Sequence, residues 1–350
     1  PNSSVLTYRY RLKDATSGKH LRRMPCAVNR LWNYAQETSL EMLRREKRFS
    51  TAFDLINLCT GASAELGISS ETIGEVCRQY VQSRRQHKRV KLAWRSRKRS
   101  LGWIPLKMRF LRVVGDHIRY HGREFRFWKS RELQGMPKTG SFAQDARGRW
   151  YLNIQCEVEE PGVPVGTAEI GIDLGLLNQV TCSDQEAPSR RENLTRLFAD
   201  SLAMAQRAHK RKRTKAIHAK IANVRRDWSH KLSTAIVHRA SLIVVGNAAP
   251  RKLAKTHFAK SVYDASWFDF KAQLAYKAMR LGVRYGEVNE AWSSVTCADC
   301  FRRTGPRGLR ALGVRVWRCP HCGMTHDRDL NASRVILRLG REALLRNPPV

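Results

Sequence analysis

Four cysteines near the end of the sequence constrain the fold of this chain most strongly. Two Cys-x-x-Cys pairs, 18 residues apart, are formed by Cys297, Cys300, Cys319 and Cys322. Each pair places two thiolates on one tight turn, and two such turns together complete a tetrahedral zinc site. We therefore expect one structural Zn²⁺ ion in a small ribbon. The other cysteines are scattered and the total of nine is odd, which favours free thiols in a reducing cytosol.

The charge of the chain limits the partners that it can have. Lysine and arginine number 65 against 30 aspartate and glutamate, which gives a formal net charge of +35. Such an excess destabilises a compact state unless a polyanion neutralises it. Nucleic acid is favoured over an acidic membrane surface or a ribosomal assembly. No stretch reaches the ~18 apolar residues of a membrane helix, and residues 1–12 lack an apolar signal-peptide core. We expect a soluble cytoplasmic protein, associated with the bacterial nucleoid.

Hydrophobic periodicity divides the first half of the chain into β-rich and helical segments. Alternation over residues 4–12 predicts an edge strand, and apolar residues at helical spacing predict helices within 19–50 and 51–98. Between 101 and 160 the pattern changes to short β-rich segments separated by glycines. We expect these segments and the first strand to form a small antiparallel barrel, with the helical block inserted into it.

The pattern of the second half of the chain, after a Pro-Gly-Val-Pro linker at 161–164, predicts an α/β domain. The pattern predicts, in order, a hairpin over 169–183, a long basic helical stretch over 190–240, a buried strand over 242–245, a helix over 262–281, a strand over 283–288 and a last helix over 330–346.

Two acidic motifs mark the start and the end of this α/β domain. Asp173 ends the first buried strand within Gly-Ile-Asp-Leu-Gly, and Asp329 opens the last helix within Asp-Arg-Asp-Leu-Asn-Ala-Ser. Each alone is ordinary, as a turn residue or a helix cap. Together they match the way in which an RNase H-like sheet gathers carboxylates around two Mg²⁺ ions for phosphodiester hydrolysis. We expect Asp173 and an aspartate of the second motif to bind Mg²⁺.

These motifs, with the zinc ribbon between them, resemble the TnpB family and its relatives, the compact type V CRISPR effectors. The resemblance implies that the metal ligand of the second motif is Asp329, two residues before Asn331, and that Asp327 caps the helix or positions the site. Further similar segments are YRYRL, VNRLWNYAQE, WFDFKAQLAYKA, SSVTCADC and residues 225–245. The resemblance implies a RuvC domain of RNase H-like fold with an inserted zinc ribbon, and an oligonucleotide-binding-like wedge barrel with an inserted helical recognition domain. The implied boundaries are wedge 1–18 and 101–164, recognition domain 19–100, RuvC 165–296, ribbon 297–323 and C-terminal RuvC helix 324–350.

The resemblance also implies an activity. A guide RNA pairs with target DNA beside a short target-adjacent motif, and RuvC cuts both strands. In such systems base pairing supplies sequence specificity, while a basic protein channel recognises the shape of the heteroduplex. The implied partners are guide RNA and double-stranded target DNA, with two Mg²⁺ ions and one Zn²⁺ ion as cofactors. A type V effector guided from a CRISPR array has the same chemistry. A DNA-joining transposase also uses carboxylates, but the ribbon inside the nuclease domain argues against it. The resemblance leaves monomer and dimer open.

The chain departs from the family at the second RuvC carboxylate. The family has a glutamate at the end of the strand over 242–245, where this chain has Gly246 and Asn247. One interpretation is relocation. In an RNase H-like sheet of order 3-2-1-4-5, a glutamate leaving the next strand reaches the same metals, and Glu290 is the candidate, with Glu287 as the alternative.

The other interpretation is loss of cleavage, which would leave an RNA-guided DNA-binding protein that acts as a repressor. The presence of both Asp173 and Asp329 favours the active enzyme.

Several residues are candidates for contact with nucleic acid. Trp32, Asn33 and Tyr34 on the first helix could stack on or hydrogen-bond to bases near the target-adjacent motif, although Trp32 also suits a core. Basic clusters favour phosphate contacts, and a stretch that resembles the family favours heteroduplex contacts. These candidates are Arg84, Arg85, Lys88, Arg95, Arg97, Lys98, Arg211, Lys212, Arg213, His230 and Lys231.

Overall fold

A computed structural model describes residues 3–13, 20–108, 111–159, 163–184, 189–247, 263–308, 311 and 313–346. The chain divides into two compact units, an N-terminal unit that ends at residue 159 and a C-terminal unit that begins at residue 160. Among the described helices, none is both long and apolar enough to cross a membrane.

The N-terminal unit is built on one antiparallel sheet of seven strands. The strands are β1 (Ser3–Leu12), β2 (Trp103–Lys107), β3 (Val113–Val114), β4 (His117–Tyr120), β5 (Arg123–Trp128), β6 (Met136–Gln144) and β7 (Trp150–Glu159), in the order β2-β6-β7-β1-β5-β4-β3. The sheet curls, since Phe125 of β5 and Phe142 of β6 meet with ring centroids 4.8 Å apart although two strands lie between them. Such aromatic pairs on the inner face stabilise the curl.

The position of β1 differs from the prediction of an edge strand. β1 pairs with β7 along most of its length and with β5 at Arg11 and Leu12, so it lies inside the sheet. Alternation of apolar and polar residues reports one buried face, and it does not report whether both edges of a strand are paired. The edge prediction was therefore wrong.

β6 was missed because its glycines were interpreted as breaks. Gly135 has φ of 78°, and Gly140 lies where a Cβ would come within 2.7 Å of the backbone oxygen of Asn153 on β7. Both glycines permit close approach of β6 to β7. In this strand the glycines mark tight pairing and not a loop.

Four helices belong to the same unit: α1 (Met24–Glu46), α2 (Ala52–Leu58), α3 (Ser63–Leu66) and α4 (Ser70–Gln86). The helical prediction for 51–98 extends too far, because α4 ends at Gln86. Residues beyond it lie along α1 in an extended segment. The amides of Asn29, Asn33 and Gln36, which share one face of α1, hydrogen-bond to Arg95 and Leu92 of this segment.

The C-terminal unit contains a four-stranded sheet of order β11-β10-β8-β9. Its strands are β8 (Ala168–Asp173), β9 (Thr181–Cys182), β10 (Ala240–Gly246) and β11 (Arg284–Val288). The strands β8, β10 and β11 are parallel, and β9 is antiparallel to β8. Parallel strands of this kind are buried on both faces, which explains the uninterrupted apolar run of β10.

The described helices of this unit are α5 (Leu194–Leu197), α6 (Ala199–Arg207), α7 (Arg211–Arg239), α8 (Trp267–Arg280) and α9 (Arg328–Arg346). The last three pack on the sheet, and α5 and α6 pack on α7. α7 and α8 pack with Ile170, Ile172, Ile243 and Val245 in one apolar core. α9 contacts β8 and β10 through Gly171 and Gly340, where an added Cβ would overlap with Ser333 and Val244 respectively. These two glycines let the last helix lie close against the sheet, and they fix where its first turn stands.

A small two-stranded ribbon precedes α9. It consists of β12 (Val316–Arg318) and β13 (Thr325–Asp327), and β13 continues directly into the helix. Its apolar core is minimal, formed by Cys297, Cys319 and Trp317 with Cys300 packed against them.

Candidate active site and metal centre

Three parallel strands end side by side at the carboxyl edge of the C-terminal sheet. Ile172 of β8 pairs with Val245 of β10, so the next residues, Asp173 and Gly246, are neighbours. Gly246 in turn pairs with Val288 of β11. The carboxyl edge of a parallel sheet is the usual place for a ligand site in α/β folds.

The carboxylate of Glu290 occupies the space above Gly246. A Cβ added to Gly246 would overlap with Oε2 of Glu290 and come within 2.9 Å of Ile336. Any residue larger than glycine at position 246 would therefore displace Glu290. Glu290 lies two residues beyond the end of β11, and its backbone oxygen accepts a hydrogen bond from Ser293 at 3.0 Å, which closes a turn.

The chemistry of Glu290 suits a cation ligand. Its Oε2 atom is buried and has no hydrogen-bond partner among the described residues. Burial raises the pKa of this carboxyl, while the ammonium of Lys271 opposes the shift. A buried carboxylate oxygen without a donor carries a free-energy penalty that a bound cation would remove.

Asp173 shares this environment. Burial, with a further contribution from the nearby carboxylates of Glu290 and Asp329, raises the pKa of Asp173 to about 8 against the opposing influence of Arg328. Mutual repulsion of three acids disfavours their common ionisation unless positive charge lies between them. Carboxylate oxygens from separate elements are the ligand set that Mg²⁺ prefers.

Asp329 reaches the site from the first turn of α9. Oδ1 of Asp327 accepts hydrogen bonds from the backbone N–H groups of Asp329 (3.0 Å) and Leu330 (2.9 Å), so Asp327 caps the helix. The Asp329 carboxylate accepts a bond of 2.6 Å from Nδ2 of Asn178, and Arg315 lies 3.4 Å away. Sequence reasoning missed Asn178 and Arg315, which lie far from Asp329 along the chain and belong to no acidic motif.

We predict that Asn178→Ala weakens the binding of Mg²⁺ by this carboxylate site about 10- to 100-fold, the usual cost of losing a group that orients a metal ligand. The substitution removes the donor to Asp329, so the dissociation constant for Mg²⁺ should rise. Isothermal titration calorimetry with Mg²⁺ measures it. An unchanged affinity would show that Asn178 does not position Asp329.

Glu287 and Asn247, the other residues considered for the second carboxylate position, both contact Lys271. The carboxylate of Glu287 accepts hydrogen bonds from Nζ of Lys271 at 2.6 Å and from the hydroxyl of Tyr285 at 3.0 Å. Oδ1 of Asn247 lies 3.3 Å from the same lysine. Glu287 is therefore an exposed ion-pair residue beside α8, and Glu290 is the glutamate beside Asp173.

The four cysteines form a compact cluster. The Sγ atoms of Cys297, Cys300, Cys319 and Cys322 all lie within 4.8 Å of one another, a grouping that could bind a metal ion such as zinc. The two turns are alike: Phe301 N–H bonds to Cys297 O and Gly323 N–H bonds to Cys319 O, both at 2.9 Å.

His326 and Asn331 connect the cysteine cluster to its surroundings. Nε2 of His326 lies 3.1 Å from Sγ of Cys297. The buried amide of Asn331 on α9 accepts a bond from Ala298 N–H and donates to the backbone oxygens of Thr296 and Ser293. The helix that begins with Asp329 is thus tied to the first cysteine turn.

The three predicted base-contact residues on α1 differ in their exposure. Trp32 is 8% exposed and packs edge-on against Tyr80, so it belongs to the core and cannot stack on a base. The half-buried Asn33 amide exchanges two hydrogen bonds of 2.9 Å with the backbone of Arg95. Tyr34 is exposed.

The basic candidates separate into internal and exposed residues. Arg95 donates to Asn29 and to the oxygen of Leu101, and the guanidinium of Arg84 lies 3.7 Å from the ring centroid of Phe49. These two half-buried arginines contact other residues of their own unit, and their contact with phosphate stays a prediction. Half-buried His230 accepts a bond from Lys277 through its backbone oxygen. The exposed candidates are Arg85, Lys88, Arg97, Lys98, Arg211, Lys212, Arg213 and Lys231.

Comparison with known proteins adds independent support for the resemblance noted in the sequence. Residues 153–256 match a family described as probable transposase, OrfB_IS605, and residues 267–336 match the Cas12f1-like TNB domain. These two matches cover the strands, helices and cysteine turns of the C-terminal unit. The chain is therefore similar to these two families over most of its C-terminal unit.

Two curated relatives agree with these families. A putative RNA-guided DNA endonuclease of Streptomyces pristinaespiralis is 36% identical over 222 residues, which is 59% of this chain and 54% of the relative. The putative RNA-guided DNA endonuclease InsQ of Escherichia coli is 28% identical over 248 residues, 63% of this chain and 60% of the relative. The chain thus spans little more than half the length of these relatives.

A solved structure shares the fold. The chain aligns with Cas12f1 in a complex with single-guide RNA and target DNA at a TM-score of 0.56, with 10% identity over 96% of this chain and 99% of the other. At this identity the match supports the fold alone. It does include both units, so the mixed α/β architecture with a curled sheet is that of Cas12f1.

Proposed function

We propose that this chain is a guide-RNA-directed DNA endonuclease with a relocated catalytic glutamate, because its sequence resembles putative RNA-guided DNA endonucleases and its fold is similar to that of Cas12f1. In this proposal the C-terminal unit is an RNase H-like RuvC domain, and the curled sheet of the N-terminal unit is the wedge. The order β11-β10-β8-β9 supports this, since it corresponds to the order 5-4-1-2 of such a sheet.

One observation carries the proposal that cleavage is retained. The side chain that the family places at position 246 is missing, and the Glu290 carboxylate fills the space that its absence leaves. A decayed site would have no reason to keep glycine at that contact or a partnerless buried carboxylate beside Asp173. The paired change supports relocation and argues against a cleavage-dead repressor.

The proposed metal ligands are Asp173, Glu290 and Asp329. When bound, two Mg²⁺ ions supply an activated water and stabilise the charge on the leaving oxygen. The protein contributes rigid placement. Asn178 holds the Asp329 carboxylate, and Gly171 and Gly340 hold α9 against the sheet. Asp173 stands at the end of a buried strand, where it pairs with Thr181 and follows Ile172, which is paired on both sides.

We further propose that Cys297, Cys300, Cys319 and Cys322 bind Zn²⁺. Four thiolates close the coordination sphere, so this ion is structural. It would hold together a ribbon whose apolar core consists of little besides the ligands themselves.

The direct test uses protein purified with the RNA that accompanies it. Sequencing this RNA yields the guide, and a duplex carrying the matching sequence beside randomised flanks is then incubated with Mg²⁺. Double-strand breaks that require both the guide match and one flanking motif are expected. Guided binding with no breaks would refute the nuclease, and the absence of bound RNA together with RNA-independent DNA recognition would refute guidance.

A separate prediction concerns the exposed basic cluster at the start of α7. Replacing Arg211, Lys212 and Arg213 together by alanine should weaken nucleic-acid binding for all sequences alike, since these side chains are proposed to contact phosphates. The slope of log affinity against log salt should fall by about 2 to 3, near 0.9 per lost phosphate contact on duplex DNA. Fluorescence anisotropy at several salt concentrations measures it.

The control for this variant is Lys231→Ala on the same helix. Lys231 is exposed but already lies 2.8 Å from the carboxylate of Asp227, so its loss should change the slope less than the loss of any one residue of the cluster. A triple variant with the slope of the parent protein would remove this cluster from the nucleic-acid surface.

A further inference from the structure

Two buried cysteines of the N-terminal unit lie in contact with one another. Cys59 ends α2, Cys77 lies in the middle of α4, and their side chains are hydrogen-bonded to each other. Cys59 is 7% exposed and Cys77 is fully buried. Neither belongs to the cysteine cluster of the C-terminal unit. A single buried cysteine usually serves as a small apolar residue, whereas two thiols that face one another can also be oxidised to a disulfide.

Helix α2 is held to its unit by little apolar contact. Among its seven residues Leu55 is buried, whereas Phe53 and Leu58 are 71% and 56% exposed. A capping box at Thr51 secures its first turn, so the end at Cys59 is the less secured one. Segments with so few buried apolar contacts open locally at a low cost in free energy.

Helix α4, in contrast, is fixed at its start and along its length. The buried hydroxyl of Thr72 donates to the backbone oxygen of Pro105 on β2 at 2.9 Å and lies 2.6 Å from the hydroxyl of Tyr120 on β4. The residues on either side of Cys77 on its buried face, Val76 and Tyr80, are fully buried. A covalent bond between Cys59 and Cys77 would therefore join a weakly packed helix to a rigid one.

We propose that Cys59 and Cys77 are a reversible dithiol–disulfide pair that cross-links the end of α2 to α4 when a peroxide is present. The Cys59 thiolate attacks one peroxide oxygen, the other oxygen leaves and is protonated to water, and a sulfenic acid forms. The Cys77 sulfur then displaces the sulfenic oxygen as a second water and forms the S–S bond. In total the two thiols lose two electrons and two protons to one peroxide molecule. A dithiol reductant reverses the step by exchange.

The surroundings of the two thiols set the order of these steps. Burial raises the pKa of Cys77 to about 12, whereas the hydrogen bond from Cys77 opposes the rise that burial causes in the pKa of Cys59. The thiolate is the reactive form of cysteine. Cys59 also stands between the exposed residues Leu58 and Thr60, at the end of α2 that is less secured. A small oxidant therefore meets Cys59 first, and Cys77 is the resolving thiol.

Peptide mapping of the full chain tests the bond directly. Residues 49–78 contain both cysteines and no lysine or arginine before Arg78, so trypsin releases both thiols in one peptide. The chain is treated with a small excess of hydrogen peroxide, unfolded, alkylated and digested. This peptide should then be lighter by two hydrogens and take up no alkylating agent, and dithiothreitol before alkylation should restore two labelled thiols.

The control for the mapping is Cys26→Ser, which removes a half-buried thiol of α1 and should form the bond as the parent protein does. In Cys77→Ala, the remaining Cys59 should accumulate as a sulfenic acid, which dimedone traps. Two free thiols in the peroxide-treated parent, or sulfinic acids at the two positions in place of a disulfide, would overturn the proposal.

Hydrogen exchange over residues 52–59 tests the effect on α2. Oxidation should slow exchange in this helix about 10- to 100-fold, because the cross-link removes much of the entropy that the opened segment would gain. Exchange in β7 should not change. Cys59→Ser keeps the packing of α4 intact and should exchange equally fast before and after peroxide. A disulfide that leaves exchange in α2 unchanged, or slowing that persists in Cys59→Ser, would overturn the cross-linking role.

Discussion

Replacing Glu290 by glutamine is expected to abolish target cleavage while leaving guide and target binding intact. Glutamine keeps the size and hydrogen-bonding capacity of the side chain but removes its charge, and a divalent cation needs that charge to be held. Since a bound metal contributes several kcal/mol to the transition state, we expect a fall in rate of about 10³-fold or more. Single-turnover cleavage measures the loss, and anisotropy in EDTA measures the binding.

The matched control is Glu287→Gln on the preceding strand. Glu287 is exposed and pairs with Lys271, so its substitution should leave cleavage within about twofold of the parent, as for most surface changes. Equal losses in the two variants would mean that neutralising any acid at this edge disturbs the site, and they would contradict the assignment of Glu290.

A second pair of variants tests relocation itself. Gly246→Glu alone should be inactive or nearly so, because the new side chain overlaps with the Glu290 carboxylate. Adding Glu290→Ala should restore part of the activity, since it returns the carboxylate to the family position and removes the overlap. Activity in the double variant below that of either single variant would refute the idea that the two positions are alternatives.

Cys319→Ser is expected to have the second large effect, loss of the zinc ion and unfolding of the ribbon. Structural zinc contributes apparent free energies of about 10–16 kcal/mol in small domains, far more than an apolar core of this size supplies. Elemental analysis should show zinc falling from about one ion per chain towards none. Hydrogen exchange over residues 293–327 should lose its protection.

The control for the zinc variant is Cys26→Ser, a half-buried thiol on α1 outside the cluster. It should retain the metal and the exchange protection of the ribbon. Cleavage should also fall in Cys319→Ser, because Asn331 ties the first turns of α9 to the cysteine turn. Full zinc content in Cys319→Ser would contradict a four-cysteine site and would favour His326, whose Nε2 lies beside Cys297.

The sequence predicted best those features that depend on local spacing or on buried strands. The cysteine turns, the strand that ends at Asp173 and the helix that begins near Asp329 follow from residues that are neighbours in the chain. β6 and the segment after α4 could not be predicted in the same way. Gly140 fits β6 only because β7 lies against it, and residues 92–95 are extended because the amides of α1 replace helical hydrogen bonds.

The residues of the candidate site also divide into those that local sequence motifs predict and those that depend on contacts with distant parts of the chain. Asp173 and Asp329 were identifiable from motifs, and Glu290 from the expected neighbourhood of two strands. Asn178 could not be found, since its contact with Asp329 joins residues 151 positions apart. The sequence left Trp32 open between a base contact and the core, because an aromatic residue on an amphipathic helix can face either the core or the solvent. The partners that decide this, Tyr80 and Trp103, come much later in the chain.

The reciprocal fit of Gly246 and Glu290 has a consequence for how relatives of this chain are compared. Neither substitution is favourable alone. Acids at both position 246 and position 290 would compete for one volume, and an acid at neither position would leave the cation short of a ligand. An alignment that inspects only the column of residue 246 would class such a protein as inactive, whereas under the proposed relocation the acid stands one strand across the sheet.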